Sequence, residues 1–146
     1  MRNLSKFIMI SSAFVGAQVI TAPAMAQIAE PSGTYHGNVD VQKGLAFSCV
    51  IGLNVNSSSD TVSVSLNSGS PFCAFLSFSG NPYSYSFNST TGQFIVHNVY
   101  VNTITSGDCS GDISATWNGT QFTIDATLPP VNDDQECSIE GTATAP

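Results

Sequence analysis

Beyond residue 26 the chain alternates apolar and polar residues with a period of two. In residues 61–66, Val62, Val64 and Leu66 fall on one side and Thr61, Ser63 and Ser65 on the other. That pattern belongs to a strand with one buried and one solvated face. Comparable runs occupy residues 35–41, 45–55, 72–79, 83–87, 93–96 and 99–104, and clusters of Asn, Ser and Gly at 56–60, 67–70 and 88–92 separate them. No segment carries a convincing helical period. Asn118-Gly119 between two alternating runs predicts a hairpin with a two-residue type I′ loop. In that register Trp117 faces Thr120, Ala115 faces Phe122, Ile113 faces Ile124 and Cys109 faces Leu128. Pro129-Pro130 stops the second strand, and a last alternating run places Cys137 and Ile139 on one face. Roughly eight to ten short strands with frequent turn signals predict an all-β fold, an antiparallel β-sandwich or barrel-like single domain.

The first residues follow a different rule. Arg2 and Lys6 precede an apolar run over residues 7–20, and Ala24-Met25-Ala26 supplies a small-x-small cleavage pattern. This reads as a signal peptide over residues 1–26, cut after Ala26, and not as an integral membrane span, for which the run is too short. The expected mature domain is 27–146, secreted to the extracellular space or the cell surface, with the periplasm as the other destination. Its four cysteines, Cys49, Cys73, Cys109 and Cys137, are an even number in an oxidising compartment and read as two disulfides. Of the three pairings, Cys49–Cys73 with Cys109–Cys137 closes two loops of moderate length and is preferred. There is no C-x-x-C and there are only two histidines, which argues against zinc.

Charge narrows the partners. All ten acidic residues lie beyond residue 26, against a single basic one, Lys43. Such a chain cannot neutralise a run of phosphates, so nucleic acid is not an expected partner, and an anionic membrane surface repels it. Charge is nonetheless sparse, and Ser, Thr and Asn make up most of the polar positions.

The search for reactive groups yields little. His36 lies in the first strand and His97 ends an apolar run; both read as satisfied or solvent-facing, and no G-x-S-x-G surrounds a serine. Asp108, Asp112 and Asp125 are the carboxylates that a weak third reading, a secreted hydrolase, would use. Asp133, Asp134 and Glu136 offer hard oxygen ligands for Ca²⁺ but lack the spaced arrangement of a dedicated loop. No cofactor and no catalytic residue are expected. Aromatic residues are concentrated between Phe72 and Phe87. Because Phe75 falls out of phase with Phe72 and Phe78, that strand either is covered on both sides or exposes an apolar stripe. Phe75, Tyr83 and Tyr85 are the candidate apolar contact residues.

Several local motifs point to a family. The four spaced cysteines, Cys109-Ser110-Gly111, Trp117-Asn118-Gly119, Ala126-Thr127-Leu128-Pro129 and the terminal Cys137-Ser138-Ile139-Glu140-Gly141-Thr142 resemble the secreted activators of alkane oxidation, the PraA/PraB family. The resemblance runs from Cys49 to the C-terminus, and Pro129-Pro130 and the acidic residues after it lengthen the approach to the last cysteine. It implies a non-enzymatic extracellular protein linked to growth on long alkanes and to biofilm or cell-surface hydrophobicity, with no catalytic residues to carry over. The expected partners are hydrophobic substrate, cell surface or biofilm matrix, and further copies of the chain. The alternative is a subunit of an extracellular fibre, in which residues 27–33 form a mobile donor arm for a neighbour's open sheet edge.

Overall fold

The computed structural model of the chain describes residue 16 and residues 20–103, 107–132 and 134–146. Nine strands form there: β1 (Gly33–Lys43), β2 (Leu45–Asn56), β3 (Thr61–Gly69), β4 (Ser77–Ser79), β5 (Tyr83–Phe87), β6 (Gln93–Asn102), β7 (Cys109–Trp117), β8 (Gln121–Leu128) and β9 (Cys137–Thr144). A 3-10 turn, Pro71–Phe75, stands between β3 and β4. The strands pair in the order β4-β6-β5-β3-β2-β1-β9-β8-β7, and β7 pairs back onto β6. Eight strands therefore close an antiparallel barrel, and β4 is the additional strand. β4 and β5 lie one after the other along β6, opposite residues 100–102 and 94–96.

Closure follows from the alternation. Inward positions such as Val39, Ile51, Val62, Phe94, Phe122 and Ile139 are almost wholly buried. The outward positions of β3, β8 and β9 are mostly Ser, Thr, Gln, Asp and Glu. This is the inverse of a membrane-spanning barrel, whose outward band is apolar. Among the described residues no helix is long and apolar enough to cross a membrane. Among the described residues, two apolar cavities of the interior measure about 10 and 20 Å³, about the space of a single water each. One end is packed by rings, with Phe122 edge-on to Tyr35 and Phe94 at 5.0 and 5.1 Å and tilted on Trp117 at 4.6 Å.

The narrowest joint in the wall lies between β3 and β5, which share only the pairs Thr61–Ser84 and Val62–Tyr83. Asn81 extends it: its Oδ1 accepts from the Val64 N–H and its Nδ2 donates to the Val64 carbonyl, both at 2.9 Å. One side-chain amide thus stands in for a strand residue. Replacing it by Ala leaves both Val64 groups without that partner, so Asn81→Ala is expected to cost about 1–2 kcal/mol, read as a lowered urea midpoint at unchanged slope.

Three local expectations are corrected. The hairpin register is shifted by two residues: Trp117 pairs with Phe122 and Ala115 with Ile124, and Cys109 bridges to Pro130 instead of Leu128. The central residues are Gly119 and Thr120. Asn118 Oδ1 takes the N–H groups of Thr120 and Gln121 at 2.9 and 2.8 Å, which moves the loop one residue onward. A shift of two preserves which face each side chain occupies, so the buried set is unchanged. The run over 72–79 is not one strand, because Ser70 caps and Pro71 starts a 3-10 turn. The runs at 93–96 and 99–104 are parts of one strand, β6, with a bulge: the register slips between Val96 and Val99, leaving His97 and Asn98 opposite Asp112. Ile104 lies outside the described residues.

The donor arm of the fibre alternative is not free, because residues 27–33 are docked on their own barrel, whereas β4 pairs only with β6 and keeps an open outer edge. The Ile28 N–H donates to the Ser89 carbonyl at 2.8 Å, Trp117 Nε1 donates to the Ala29 carbonyl at 2.9 Å, and Pro31 is buried.

Candidate functional site

The 3-10 turn has three residues per turn, so positions three apart lie on one side. Cys73 and Leu76 accordingly point inward and are buried, while Phe72 and Phe75 point out, 42% and 64% exposed. Cys73 is bonded to Cys49 of β2, which holds the turn against the barrel end. Phe47, inward-facing on β2 and packed against the edge of the core, meets Phe72 at 5.8 Å between ring centroids. Leu45, two residues earlier on the same face, is 55% exposed. Val131, 41% exposed, follows β8 at this same end, where its N–H donates to the Asp108 carbonyl. The second disulfide, Cys109–Cys137, joins the starts of β7 and β9 here as well. Both cross-links and the large exposed apolar side chains of the barrel, among the described residues, thus share one end. Lys43 closes it from inside: its buried Nζ donates to the Gln135 carbonyl at 2.9 Å.

The preferred disulfide pairing is the one present. Of the three candidate contact residues, Phe75 is at the surface, whereas Tyr83 and Tyr85 are buried, 5% and 6% exposed. This corrects the expectation for the tyrosines, because both occupy inward positions of β5. The Tyr83 hydroxyl donates to the Ser79 carbonyl at 2.5 Å and the Tyr85 hydroxyl to Glu30 Oε1 at 2.8 Å. Burial, with the Glu30 carboxylate next in weight, pushes the Tyr85 phenol far above its ordinary value. The residues missed from the alternation are Leu45 and Phe72. Ser70-Pro71 was the available signal for Phe72, since a capping Ser followed by Pro starts a helical turn.

Asp125 faces Glu140 across β8 and β9, and Glu140 faces Asp40 across β9 and β1, all on the outside of the barrel. Asp108 accepts from the Tyr100 hydroxyl at 2.9 Å and the Thr103 N–H at 3.0 Å, and the first bond raises the Tyr100 phenol above its usual value. Asp125 is exposed on β8. Asp134 and Glu136 are exposed, Asp133 lies outside the described residues, and among the described residues no three His, Cys, Asp or Glu gather in a metal-holding group. His36 faces solvent on β1. His97 does more: the bulge sets its Nδ1 3.3 Å from Asp112 Oδ2 and its Nε2 2.9 Å from the Ser86 hydroxyl. Asp112 Oδ1 also accepts from the Asn98 N–H at 2.9 Å, and this bond, ahead of His97, holds the carboxyl below its usual value. Ser86 had no signal in the sequence, because only the bulge relates it to His97.

A family model described as alkane oxidation protein activator PraA/PraB-like matches residues 1–146, the whole chain. The chain belongs to the PraA/PraB-like family. The family is described as an activator, not as an enzyme. No curated protein matches the chain. Among solved structures it is similar to a Bacteroides fragilis protein described as a candidate outer membrane protein. That likeness has 18% identity and a TM-score of 0.47, and covers 78% of this chain and 50% of the other. This PraA/PraB-like chain thus spans half the length of that neighbour, and the likeness is too slight to bear on its role.

Proposed function

We propose that this PraA/PraB-like protein works outside the cytoplasm as a contact protein, seating its cross-linked barrel end on apolar matter: hydrocarbon, or the surfaces and matrix of cells growing on it. Residues 1–26 act as the export signal. The two disulfides fit an oxidising destination. The observation that carries the reading is the segregation of Leu45, Phe72 and Phe75 at one end of a barrel whose sides are otherwise mostly polar. Exposed apolar groups gathered in one region mark a contact surface more often than scattered ones do.

The test is the tension of a hexadecane–water interface in a pendant drop. Residues 27–146 are expected to lower it at micromolar concentration, and Leu45→Ser/Phe72→Ser/Phe75→Ser is expected to lose most of that effect while keeping both disulfides and a β-type circular dichroism spectrum. Wild-type protein that leaves the tension unchanged, or a triple variant equal to it, overturns the proposal. Association of the domain with itself and no oil activity would favour a matrix built from copies of the chain.

A further inference from the structure

The β6 bulge brings three side chains from three strands into one line. Ser86 of β5, His97 of β6 and Asp112 of β7 are linked in sequence, hydroxyl to Nε2 at 2.9 Å and Nδ1 to carboxylate at 3.3 Å. An ionised carboxylate can only accept, so the neutral ring must carry its proton on Nδ1 and leave Nε2 as the acceptor for the serine hydroxyl. The backbone secures this order: Asn98 adopts φ 54° in the bulge, and its N–H fixes Asp112 from the other side. Bulges commonly re-aim a side chain in this way. A nucleophile, a base within hydrogen-bond reach and a third group orienting the base are the parts of an activated serine.

Ser86 also lines an open cleft of about 760 Å³, where Ile28 and Glu30 of the docked amino-terminal segment face Asp60, Phe87 and Ser89. We propose that Ser86, with His97 as base and Asp112 as positioning residue, is a reactive serine that takes neutral carboxylic esters from this cleft. The carboxylates of Glu30 and Asp60 disfavour anionic substrates, and Ile28 and Phe87 suit a short acyl chain. Ser86 Oγ adds to the ester carbonyl carbon as its proton passes to His97 Nε2. The bond from that carbon to the alkoxy oxygen then breaks, and the proton leaves on the alcohol. Water repeats the sequence on the acyl-serine, releasing the carboxylic acid and restoring Ser86.

This activity is separate from the apolar barrel end and does not depend on it. The test uses residues 27–146 with a fluorophosphonate probe and p-nitrophenyl butyrate. One adduct is expected, located on Ser86 by peptide mass, absent in Ser86→Ala and formed about 100-fold more slowly in His97→Ala. Asp112→Asn is expected to lower kcat for the ester at least tenfold with KM little changed, and ¹⁵N spectra should show the His97 ring proton leaving Nδ1. All three side chains are at the surface, so retained disulfides and an unchanged urea midpoint separate lost chemistry from lost folding. No adduct, an adduct elsewhere, or labelling indifferent to His97 overturns the proposal.

Discussion

Phe122→Ala is expected to remove about 3–5 kcal/mol of stability, the largest effect of any single truncation considered for this domain. Phe122 is fully buried on β8 and touches Tyr35, Phe94 and Trp117 through ring contacts between 4.6 and 5.1 Å. Those partners come from β1, β6 and β7, so one side chain ties together strands on either side of its own. Nothing nearby can collapse into the space, because the wall is hydrogen-bonded all the way round. A domain of this size has about 5–15 kcal/mol to lose, so the variant should unfold at a much lower urea concentration. Phe122→Leu, which keeps most of the volume, is expected to cost less than half as much. A loss below about 1 kcal/mol for the alanine variant would mean that the ring cluster is not the packed centre described above.

The second large effect concerns the cross-links, and here the two bonds are expected to part company. They enclose chain segments of similar length, with separations of 24 and 28 residues, so by loop entropy each contributes about 3 kcal/mol. Cys49→Ala/Cys73→Ala and Cys109→Ala/Cys137→Ala should therefore lower the denaturant midpoint by similar amounts. Only the first pair anchors the 3-10 turn that presents Phe72 and Phe75. Its removal is expected to weaken oil-interface activity as well as stability, whereas removal of the second pair lowers stability and spares the activity. Equal loss of interfacial activity in both variants would show that the turn needs no anchor.

How far the residues themselves disclosed this structure depended on the range of the interactions involved. Most strand positions, most of the inward set and the cysteine pairing were legible, because period-two alternation and loop length are local properties. Closure of the barrel was not: whether β6 finds β7 is decided by twist and strand count over the whole sheet, so a sandwich and a barrel remained equivalent. The tyrosines show the same limit. Tyr83 and Tyr85 carry hydroxyls that suit a surface as well as a core, and their burial depends on Ser79 and Glu30 being placed to accept. The alternation breaks at His97 and Asn98, and it gave no hint that the two runs on either side were one strand. Phe75 was singled out for being out of phase, and the 3-10 turn is the physical reason.

A soft protein that meets oil usually spreads, exchanging its interior for the interface and seldom coming off again. Here the turn that carries Phe72 and Phe75 is sewn to β2 by a covalent bond at its midpoint, Cys73. Adsorbed molecules are thereby expected to keep their shape and to rinse away whole, giving a film that yields and recovers under compression instead of setting into a skin.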